Sequence, residues 1–376
     1  MTTKRFSLLL VLLTASPAFA QRLSSPDVAI DGRVTFRLKA PDARSVRVHC
    51  EGVTGTNMVK DDGGVWSLTS ERLEPDIYTY AFEVDGVTMI DPDNPLLKYN
   101  LLKTVSQVHV PGPLSLPWEV NDVPRGTLHK HFFRSKVVGD DRDFWVYTPP
   151  GYDPRARKRY PVLYLLHGFS DDATAWSSVG LANVILDNLI ARRQARPMII
   201  VMPLGYGTPE ILEGGGSRLH NPERRQRNEE KFRDSLLLEV KPQVEKAYRV
   251  LPKAEDRAIA GLSMGGSESL FVGLNNLDQF AWVGAFSSGL RYTNYDSRFP
   301  VLDGQATQRL RALWIACGEQ DGLMPDNERF SQWLSARGVR HQFVRTPGEH
   351  SFRVWRRNLA QFAPLLFQAD KHGSTE

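Results

Sequence analysis

Residues 258–266 read AIAGLSMGG and contain the pattern Gly-x-Ser-x-Gly, with Ser263 at its centre. Apolar residues precede the pattern, and a run compatible with a helix follows from Ser267. Such an order of strand, tight turn and helix exposes a serine hydroxyl above the edge of a sheet. The bare pattern should occur by chance in roughly one chain of this length in eight. Its meaning therefore depends on the rest of the chain.

The length and composition indicate a folded chain of two domains. Of the 376 residues, 41% are hydrophobic and 24% are charged, which is typical of a soluble globular protein and excludes a disordered one. The formal net charge is only +4. The densest basic cluster, RRQR at 224–227, precedes two glutamates and indicates a solvated face, so no nucleic-acid partner is expected.

Residues 1–20 have the three parts of a secretory signal peptide. Lys4 and Arg5 supply the positive end, LLLVLL at 8–13 forms the apolar centre, and an AFA cleavage site ends at Ala20. We therefore expect cleavage after Ala20 and a secreted or periplasmic protein. The apolar centre is too short to span a bilayer, and no membrane association is expected.

The cysteines and histidines give no sign of a metal site. Cys50 and Cys317 fall in different predicted domains, and a disulfide between them is disfavoured. Cys317 ends the apolar stretch LWIAC and is interpreted as a small buried side chain. No Cys or His spacing is typical of zinc, so the sequence predicts neither a metal nor a cofactor.

Residues 24–112 consist of short strands separated by turns, with no helical stretch. Patterns of polar and apolar residues place the strands at 33–38, 45–49, 65–68 and 78–84. Turn signals lie at 61–64 and 85–86. This regular spacing predicts a small β-sandwich. The following residues, 113–126, are rich in proline and aperiodic, which predicts a linker.

Four aromatic side chains of the first domain admit two interpretations. Trp66, Tyr78, Tyr80 and Phe82 could stack against sugar rings as an exposed platform. Side chains two apart on a strand share one face, however, and we expect them to fill the core of the sandwich. Glycan binding by this domain is left open.

From residue 127 the pattern changes to alternating strands and helices. VLYLL at 162–166 and MIIVM at 198–202 are continuous apolar runs, typical of parallel strands buried on both faces. Further strands are expected at 142–148, 282–286, 313–317 and 342–345, and helices at 174–191, 229–248, 327–337 and 352–359. We therefore predict a doubly wound α/β domain over residues 127–370, followed by a tail at 371–376.

One segment of this domain, residues 205–227, is rich in glycine and has no periodicity. In a compact domain a loop of this length is either functional or disordered. Because the segment follows an inner strand, we expect it on the side of the sheet that carries the site.

A serine nucleophile needs a histidine to accept its proton and a carboxylate to orient that histidine. The histidines downstream of Ser263 are His341, His350 and His372. His341 opens an apparent strand, and His372 lies in the polar tail. His350 lies in GEHSF, between the last strand and the last helix, which is the expected position of the base.

The acid should lie in a loop after a strand, between the serine and the histidine in chain order. Asp321 in GEQDG follows the strand LWIAC and is our prediction. The competitors are Glu319, Asp326 and Glu349. Glu319 comes only two residues after the strand, and Glu349 adjoins the histidine and should point away from it.

An oxyanion formed by attack on an acyl group needs preorganised donors, usually two backbone amides. The amide of Met264, directly after the serine, is one of them. The loop at 165–169 (LLHGF) follows an earlier strand and supplies the Phe169 amide as the other, with Gly168 allowing close approach. His167 precedes the serine motif and is expected to support this loop.

Residues 127–368 resemble the esterase-D-like branch of the α/β-hydrolases and, within it, carbohydrate esterase family 1. The resemblance rests on VYTPPGYD, YPVLYLLHGFSDDATAW, PMIIVMP, GLSMGG and GEHSFRVWRRNLAQFAPLLF. It implies a serine carboxylic ester hydrolase in which Ser263, Asp321 and His350 form the catalytic triad. Glu349 departs from the family pattern, since a small residue is more usual before the histidine.

The first domain is similar to the early-set, immunoglobulin-like domains close to the family 48 carbohydrate-binding modules. This resemblance rests on GGVWSLTSERLEPDIYTYAFEVDGV and on the DPDNP that begins at Asp91. The combination of the two domains is similar to the arrangement in bacterial feruloyl and acetyl-xylan esterases.

The resemblance implies three classes of ester: hydroxycinnamoyl esters on plant xylan, acetyl esters on the same polymer, and siderophore trilactones. A feruloyl ring would need apolar or aromatic walls, and Phe169, Trp176 and Met264 lie on the expected loops. We therefore expect a feruloyl esterase whose partner is plant cell-wall polysaccharide or its feruloylated oligosaccharides. A non-catalytic glycan-binding protein on the same scaffold is the alternative from a different class.

Overall fold

The computed structural model describes residues 23–213, 221–292, 294–302 and 306–368. The predicted signal peptide at 1–20 and the predicted tail at 371–376, with His372, lie outside the described residues. Within the described ranges, no helix has the length and apolar character needed to cross a bilayer. The chain forms two units, called here the N-terminal unit (residues 23–110) and the C-terminal unit (residues 127–368).

The N-terminal unit is made of short strands. In chain order they are β1 (Asp27–Val28), β2 (Val34–Lys39), β3 (Val46–Cys50), β4 (Val59–Lys60), β5 (Val65–Thr69), β6 (Asp76–Val84), β7 (Val87–Met89), β8 (Leu97–Lys98) and β9 (Val105–Val110). One antiparallel sheet has the order β1-β2-β5-β4, and the other has the order β3-β6-β9-β8, with β7 paired to β6. Buried and more exposed side chains alternate along β2 and β3, and the two sheets share one apolar core.

The four aromatic residues singled out in this unit belong to that core. Tyr78, Tyr80 and Phe82 are at most 1% exposed, and Trp66 is 8% exposed. The ring of Tyr80 packs against those of Phe36 and Phe82. The expectation that these side chains fill the core is confirmed, and they do not form an exposed platform for sugars.

The C-terminal unit alternates strands and helices. Its strands are β10 (Thr127–Arg134), β11 (Asp141–Thr148), β12 (Val162–Leu166), β13 (Ile199–Pro203), β14 (Arg257–Leu262), β15 (Trp282–Phe286), β16 (Ala312–Gly318) and β17 (Gln342–Thr346). Its α-helices are α1 (Ala175–Ser178), α2 (Ala182–Ala191), α3 (Pro222–Ser235), α4 (Lys241–Ala247), α5 (Met264–Asn275), α6 (Tyr295–Arg298), α7 (Met324–Ala336) and α8 (Phe352–Phe362). A π-helical turn (Leu236–Val240) joins α3 to α4, and 3₁₀ turns cover Pro209–Ile211, Ala254–Asp256, Ala306–Arg309 and Ala363–Leu365.

These strands form one mixed sheet in the order β10-β11-β13-β12-β14-β15-β16-β17. β10 and β11 are antiparallel to their neighbours, whereas β12 to β17 run parallel to one another. Along β12, Val162, Tyr164 and Leu166 belong to the core on one face of the sheet, and Leu163 and Leu165 belong to the core on the other. The central strands are apolar along their whole length because both of their faces are covered.

The helix expected at 174–191 is divided into α1 and α2. Gly180 packs so closely on Trp176 that an added Cβ would lie 2.5 Å from the indole ring. Leu181 follows with φ of +53°, outside the helical region. The carbonyl oxygen of Val179 accepts a hydrogen bond from Nη1 of Arg356 at 2.8 Å. Contacts with the rest of the fold therefore interrupt a segment whose sequence is compatible with one helix.

The aperiodic segment at 205–227 ends in a helix. α3 starts at Pro222, so the helix predicted at 229–248 was placed too late. Asn221 caps α3 by accepting a hydrogen bond from the Arg224 amide at 3.0 Å, and proline suits the first helical position. This capping signal is local, but the many charged residues that follow it hide the helical period.

The segment predicted as a linker, 113–126, has no helix or strand but is packed against the C-terminal unit. Trp118 and Glu119 are buried. Nδ2 of Asn188 in α2 donates hydrogen bonds to the carbonyl oxygens of Pro117 and Glu119 at 2.8 and 2.7 Å. The connection between the units is therefore fixed to one of them.

The two cysteines are free and buried, each within its own unit. Cys50 belongs to the core of the N-terminal unit, and Cys317 lies in β16. Burial raises the pKa of each thiol to about 12. The interpretation of Cys317 as a small buried side chain is confirmed.

Candidate active site

Ser263 lies in the tight turn between β14 and α5. Its backbone has φ of +52° and ψ of −113°, which non-glycine residues rarely adopt, and its amide donates to the carbonyl oxygen of Phe286 at 2.9 Å. A Cβ added to Gly261 would lie 2.4 Å from the carbonyl oxygen of Gly265. One added to Gly265 would lie 2.3 Å from the carbonyl oxygen of His167. Both glycines of the sequence pattern are therefore needed for the turn.

The side chains of Ser263, His350 and Asp321 form one hydrogen-bonded row. Oγ of Ser263 lies 3.0 Å from Nε2 of His350, and Nδ1 of His350 lies 2.8 Å from Oδ2 of Asp321. When Nδ1–H donates to the carboxylate, Nε2 is left to accept the serine proton. The structure thus brings together the three residues predicted as the triad, although 87 residues separate Ser263 from His350.

The ends of parallel strands position these side chains. Ser263 directly follows β14, Asp321 lies in the loop after β16, and His350 lies in the loop after β17. The ring of Trp355 in α8 packs edge-on against His350, with 4.9 Å between the ring centroids. The imidazole is therefore held by a hydrogen bond on one side and by an aromatic contact on another.

Asp321 is built to carry a negative charge. Its side chain is 1% exposed, and its Oδ1 accepts a hydrogen bond from the Leu323 amide at 2.8 Å. Burial raises the pKa of this carboxyl, but the hydrogen bond and charge of His350 and the Leu323 amide outweigh burial, and the pKa is lowered overall. An ionised carboxylate in this position orients the imidazole and stabilises the imidazolium that forms when the serine is deprotonated.

No hydrogen bond or ion pair joins a competing residue to His350 in the described part of the chain. Glu319 and Glu349 are exposed. Asp326 pairs with an arginine on its own helix, α7. His341 hydrogen-bonds through Nε2 to a serine of α7. Geometry therefore separates Asp321 and His350 from every alternative that the sequence had left open and that the structure describes.

The two amides predicted as oxyanion donors lie beside Ser263. Met264 is the first residue of α5, so its amide has no acceptor within the helix. Phe169 follows Gly168 in the turn after β12, and a Cβ added to Gly168 would lie 3.3 Å from Cβ of Ser263. Both Phe169 and Met264 line the same pocket as the serine.

His167 supports this turn and is not part of the hydrogen-bonded row. Its Nδ1–H donates to the carbonyl oxygen of Gly168 at 2.8 Å, and its Nε2 accepts from the amide of Gly205 at 2.8 Å. Burial lowers the pKa of His167, which keeps the ring neutral, as one donating and one accepting nitrogen require. The ring therefore joins the turn after β12 to the loop after β13.

A pocket of about 480 Å³, open to solvent, lies beside Ser263. Its apolar walls are Phe169, Ile211, Met264 and Leu323. Its polar lining includes Arg225, Asn228, Glu229, Ser267 and Arg291. Two of the three predicted substrate contacts, Phe169 and Met264, therefore lie where an acyl group attached to the serine would extend.

Trp176, the third predicted substrate contact, does not line the pocket, and that prediction is corrected. It is 1% exposed, and its Nε1–H donates to the carbonyl oxygen of Leu166 at 2.8 Å. Its ring packs edge-to-face against Phe286 and Phe352. Although Trp176 follows an active-site loop in sequence, α1 turns the indole into the core.

The sequence reasoning missed the residues that α3 contributes. Arg225 lines the pocket, and its Nε and Nη1 find no acceptor among the described residues. Asn228 accepts hydrogen bonds from the amides of Gly207 and Thr208 at 2.9 and 3.1 Å and donates to Oε1 of Glu268 at 2.9 Å. The available signal was the glycine-rich segment before α3, which was expected on this side of the sheet.

Two buried carboxyl groups lie at the pocket: Glu229 belongs to its lining, and Glu268 lies behind Asn228. Glu229 accepts a hydrogen bond from the Tyr292 hydroxyl and pairs with Arg298. Glu268 in α5 is 0% exposed, and its Oε2 has no partner in the described part of the chain. Burial, reinforced by the charge of Glu229, raises the pKa of Glu268 well above its usual range, which favours the neutral form of this carboxyl.

The arrangement has the parts needed for acyl transfer: a nucleophile, a base, an orienting carboxylate and free amides beside them. Across the described ranges, no group of three or more His, Cys, Asp or Glu side chains is placed to hold a metal ion.

Comparison with known proteins identifies esterases as relatives of this chain. The model of the family described as "Putative esterase" matches residues 135–366. A curated relative, the endo-1,4-beta-xylanase/feruloyl esterase of Xylanibacter ruminicola, is 30% identical over 351 residues. That match covers 91% of this chain and 46% of the relative, so the chain spans less than half the relative's length.

Solved structures of esterases share the fold. A ferulic acid esterase of carbohydrate esterase family 1 from Anaeromyces mucronatus, determined in complex with ferulic acid, is 25% identical with a TM-score of 0.59, covering 68% of this chain and 96% of its own. The enterobactin esterase of Shigella flexneri is 19% identical with a TM-score of 0.66, covering 88% of this chain and 92% of its own, and this likeness concerns the fold alone. Because the family model covers more than half of the chain, the protein belongs to the esterase family.

Proposed function

We propose that the protein is a serine esterase that works through an acyl-enzyme intermediate. The observation that carries this proposal is the hydrogen-bonded row of Ser263, His350 and Asp321 at the pocket. Oγ of Ser263 attacks the ester carbonyl carbon while its proton passes to Nε2 of His350. The amides of Phe169 and Met264 donate to the oxyanion of the tetrahedral intermediate.

Collapse of this intermediate breaks the ester bond, and His350 gives its proton to the leaving alcohol. The acyl group then remains on Ser263. A water molecule, deprotonated by His350, attacks the acyl carbonyl carbon and restores the serine. Asp321 stays ionised throughout and stabilises the imidazolium, in keeping with its lowered pKa.

The acyl group in this proposal is a hydroxycinnamoyl group such as feruloyl, esterified to plant xylan or its oligosaccharides. The apolar walls formed by Phe169, Ile211, Met264 and Leu323 would pack against the ring of an aromatic acyl group, for which a mostly apolar lining is suited. Arg225 lines the pocket, and its Nε and Nη1, which have no acceptor among the described residues, are the donors proposed for the oxygens on the ring. The similarity to proteins named feruloyl or ferulic acid esterases supports the same acyl group.

The proposal has two further parts, which concern the location of the enzyme and the N-terminal unit. The signal-peptide pattern of residues 1–20 supports a secreted or periplasmic enzyme. The two antiparallel sheets of the N-terminal unit are compatible with an early-set, immunoglobulin-like domain close to the family 48 carbohydrate-binding modules. Whether this unit binds glycan stays a separate question from hydrolysis.

Two experiments test the proposal. A serine-directed phosphonate should label the wild-type protein at Ser263 and should not label Ser263→Ala; absence of the adduct would support a non-catalytic glycan-binding protein instead. Incubation with feruloylated and acetylated arabinoxylan should release ferulate. Release of acetate alone would favour an acetyl-xylan esterase, and hydrolysis restricted to a siderophore trilactone would favour the third class of ester.

A further inference from the structure

A loop of the N-terminal unit contacts the turn that carries the Phe169 amide. Nδ2 of Asn100 donates hydrogen bonds to Oγ of Ser170 at 2.9 Å and to Oδ1 of Asp171 at 3.0 Å. The Leu101 amide donates to the carbonyl oxygen of Ser170 at 2.7 Å. The residues directly after Phe169 are therefore held by the other unit of the molecule.

The turn has a conformation that depends on such support. The Asp171 amide donates to the carbonyl oxygen of Gly168 at 3.3 Å, which closes a turn with Phe169 and Ser170 in its centre. Ser170 has φ of +67°, a left-handed conformation that favours glycine over serine. Within the C-terminal unit, the Tyr206 hydroxyl donates to the carbonyl oxygen of Asp171 at 2.8 Å. The hydroxyl and the carbonyl oxygen of Ser170 accept hydrogen bonds from the N-terminal unit.

Asn100 is preorganised for this contact. Its Oδ1 accepts hydrogen bonds from the amides of Leu102 and Lys103 at 3.1 and 3.0 Å, which fixes its side-chain amide with Nδ2 toward the turn. Lys98 adds a positive charge, with Nζ 3.6 Å from Oδ1 of Asp171. The donor group is therefore oriented before any substrate binds.

A separate contact fixes the two units to each other. Asp76 in β6 is 0% exposed and accepts hydrogen bonds from Nη2 of Arg356 at 2.6 Å and from Nη2 of Arg357 at 2.7 Å. Arg356 also donates to the carbonyl oxygen of Ile77 at 2.7 Å. Because both arginines lie in α8, this contact joins β6 to the helix after His350. Docking of the units therefore does not depend on Asn100.

We propose that Asn100 is a positioning residue for ester hydrolysis, which holds the Phe169 amide where the oxyanion forms. This inference rests on the proposed function, because Asn100 has this role only if the Phe169 amide stabilises an oxyanion. Asn100 does not touch the reacting atoms and acts through Ser170 and Asp171. A displaced donor weakens transition-state stabilisation more than it weakens ground-state binding, so kcat changes and KM does not.

Kinetics of the full chain with 4-nitrophenyl acetate, a small ester, test the role. Asn100→Ala should lower kcat by roughly 10- to 100-fold, with KM within about twofold of wild type. Asn100→Asp keeps the oxygen that accepts from its own loop but offers no donor to the turn, and kcat should fall at least as much. The affinity for a boronic acid that forms a tetrahedral adduct with Ser263 should fall in parallel with kcat.

Asn57→Ala is the matched control, because Asn57 lies in the same unit and accepts a hydrogen bond from Arg47 at 3.1 Å, away from the turn. It should leave kcat unchanged. The inference is overturned by wild-type kcat in Asn100→Ala, by wild-type kcat in Asn100→Asp, or by an equal loss in Asn57→Ala. A wild-type protein without esterase activity and without labelling at Ser263 would overturn the proposed function and this inference together. An active wild type with an unaffected Asn100→Ala overturns this inference alone.

Discussion

The triad and the pocket beside it share Ser263, but they are built in different ways. The triad residues follow β14, β16 and β17. In the sheet β15 lies between β14 and β16, and these four strands are parallel. A short loop holds each side chain. The pocket wall combines the turn after β12, the 3₁₀ turn at Pro209–Ile211 and α3 with residues of α5 and of the loops after β15 and β16. The sheet therefore fixes the chemistry, and the connections between its strands decide what fits beside it.

The two regions also differ in how they treat carboxyl groups. In the triad, hydrogen bonds and a neighbouring imidazole keep Asp321 ionised although it is buried. Behind the pocket, Glu268 is buried, one of its oxygens has no partner among the described residues, and its raised pKa favours the neutral form. The same side-chain chemistry thus favours a fixed charge in one place and a neutral group in the other, because the donors and the imidazole at Asp321 outweigh its burial, whereas the single hydrogen bond from Asn228 does not outweigh the burial of Glu268.

The largest effect is expected in the triad. Asp321→Asn should lower kcat by roughly 10⁴-fold, since the imidazole loses the acceptor that sets its tautomer and stabilises its positive charge. Steady-state kinetics with an aryl ester measure this. Glu319→Gln is the control and should stay within about twofold of wild type. A large loss of kcat in Glu319→Gln and a small one in Asp321→Asn would identify Glu319 as the acid. The predicted triad would then be wrong.

The neutral state of Glu268 predicts a pH-dependent stability. Its pKa is raised in the folded protein, so above the ordinary pKa of glutamate the unfolded chain releases the proton while the folded chain keeps it. Folding stability is therefore lost as pH rises through this window, by about 1.4 kcal/mol per pH unit. Glu268→Gln retains the contact with Asn228 and lacks this loss.

Urea unfolding at pH 4, 6 and 8 tests this prediction. Glu268→Gln should match the wild type at about pH 4 and become progressively more stable than it at higher pH. A constant difference between the two proteins across this range would show that Glu268 is ionised in the folded state. The two regions would then not differ in their treatment of carboxyl groups.

A smaller effect is expected at the pocket wall. Arg225→Met should raise KM for methyl ferulate by about tenfold, because the ring oxygens lose their donor, and should leave methyl cinnamate within about twofold. Arg224→Met is the matched control, since Arg224 is the adjacent residue of α3 and lines a different pocket. Equal effects on the two esters, or an effect of the control, would place recognition of the ring oxygens elsewhere.

The smallest effect is expected at Glu349, next to the catalytic base. Glu349 is exposed, and the row of hydrogen bonds runs through the other side of His350. Glu349→Ala should therefore change kcat by less than about twofold, because exposed charges are well screened. A kcat shift of tenfold or more, measured with the same aryl ester, would show that the loop before the histidine influences the triad.

Much of the site could be predicted from the sequence because its determinants are local. The elbow needs two glycines at fixed spacing around Ser263, and the structure shows the atoms that would collide with a side chain there. The order of serine, acid and histidine follows from the order of parallel strands, so position after a strand was enough to select Asp321 and His350. Apolar runs with no polar face predicted the central strands.

Other features could not be predicted, because they depend on contacts between distant residues. Trp176 lies on an expected loop in sequence, yet packing with Phe286 and Phe352 places it in the core. The start of α3 was marked only by the cap at Asn221, which the charged residues that follow obscured. Nothing near Asn100 indicates that it would reach the turn beside the nucleophile.

The sequence by itself determined the fold class of the C-terminal unit, the choice of Ser263, Asp321 and His350 as the candidate triad, and the apolar core of the N-terminal unit. Hydrophobic periodicity, glycine spacing and strand order are properties of short stretches of sequence, because the interactions behind them act over a few residues. Only the tertiary structure decided which side chains form the pocket, which carboxyls are charged, and how the N-terminal unit meets the turn at Phe169. These properties arise from burial and from hydrogen bonds across long separations in the chain, such as the 70 residues between Asn100 and Ser170.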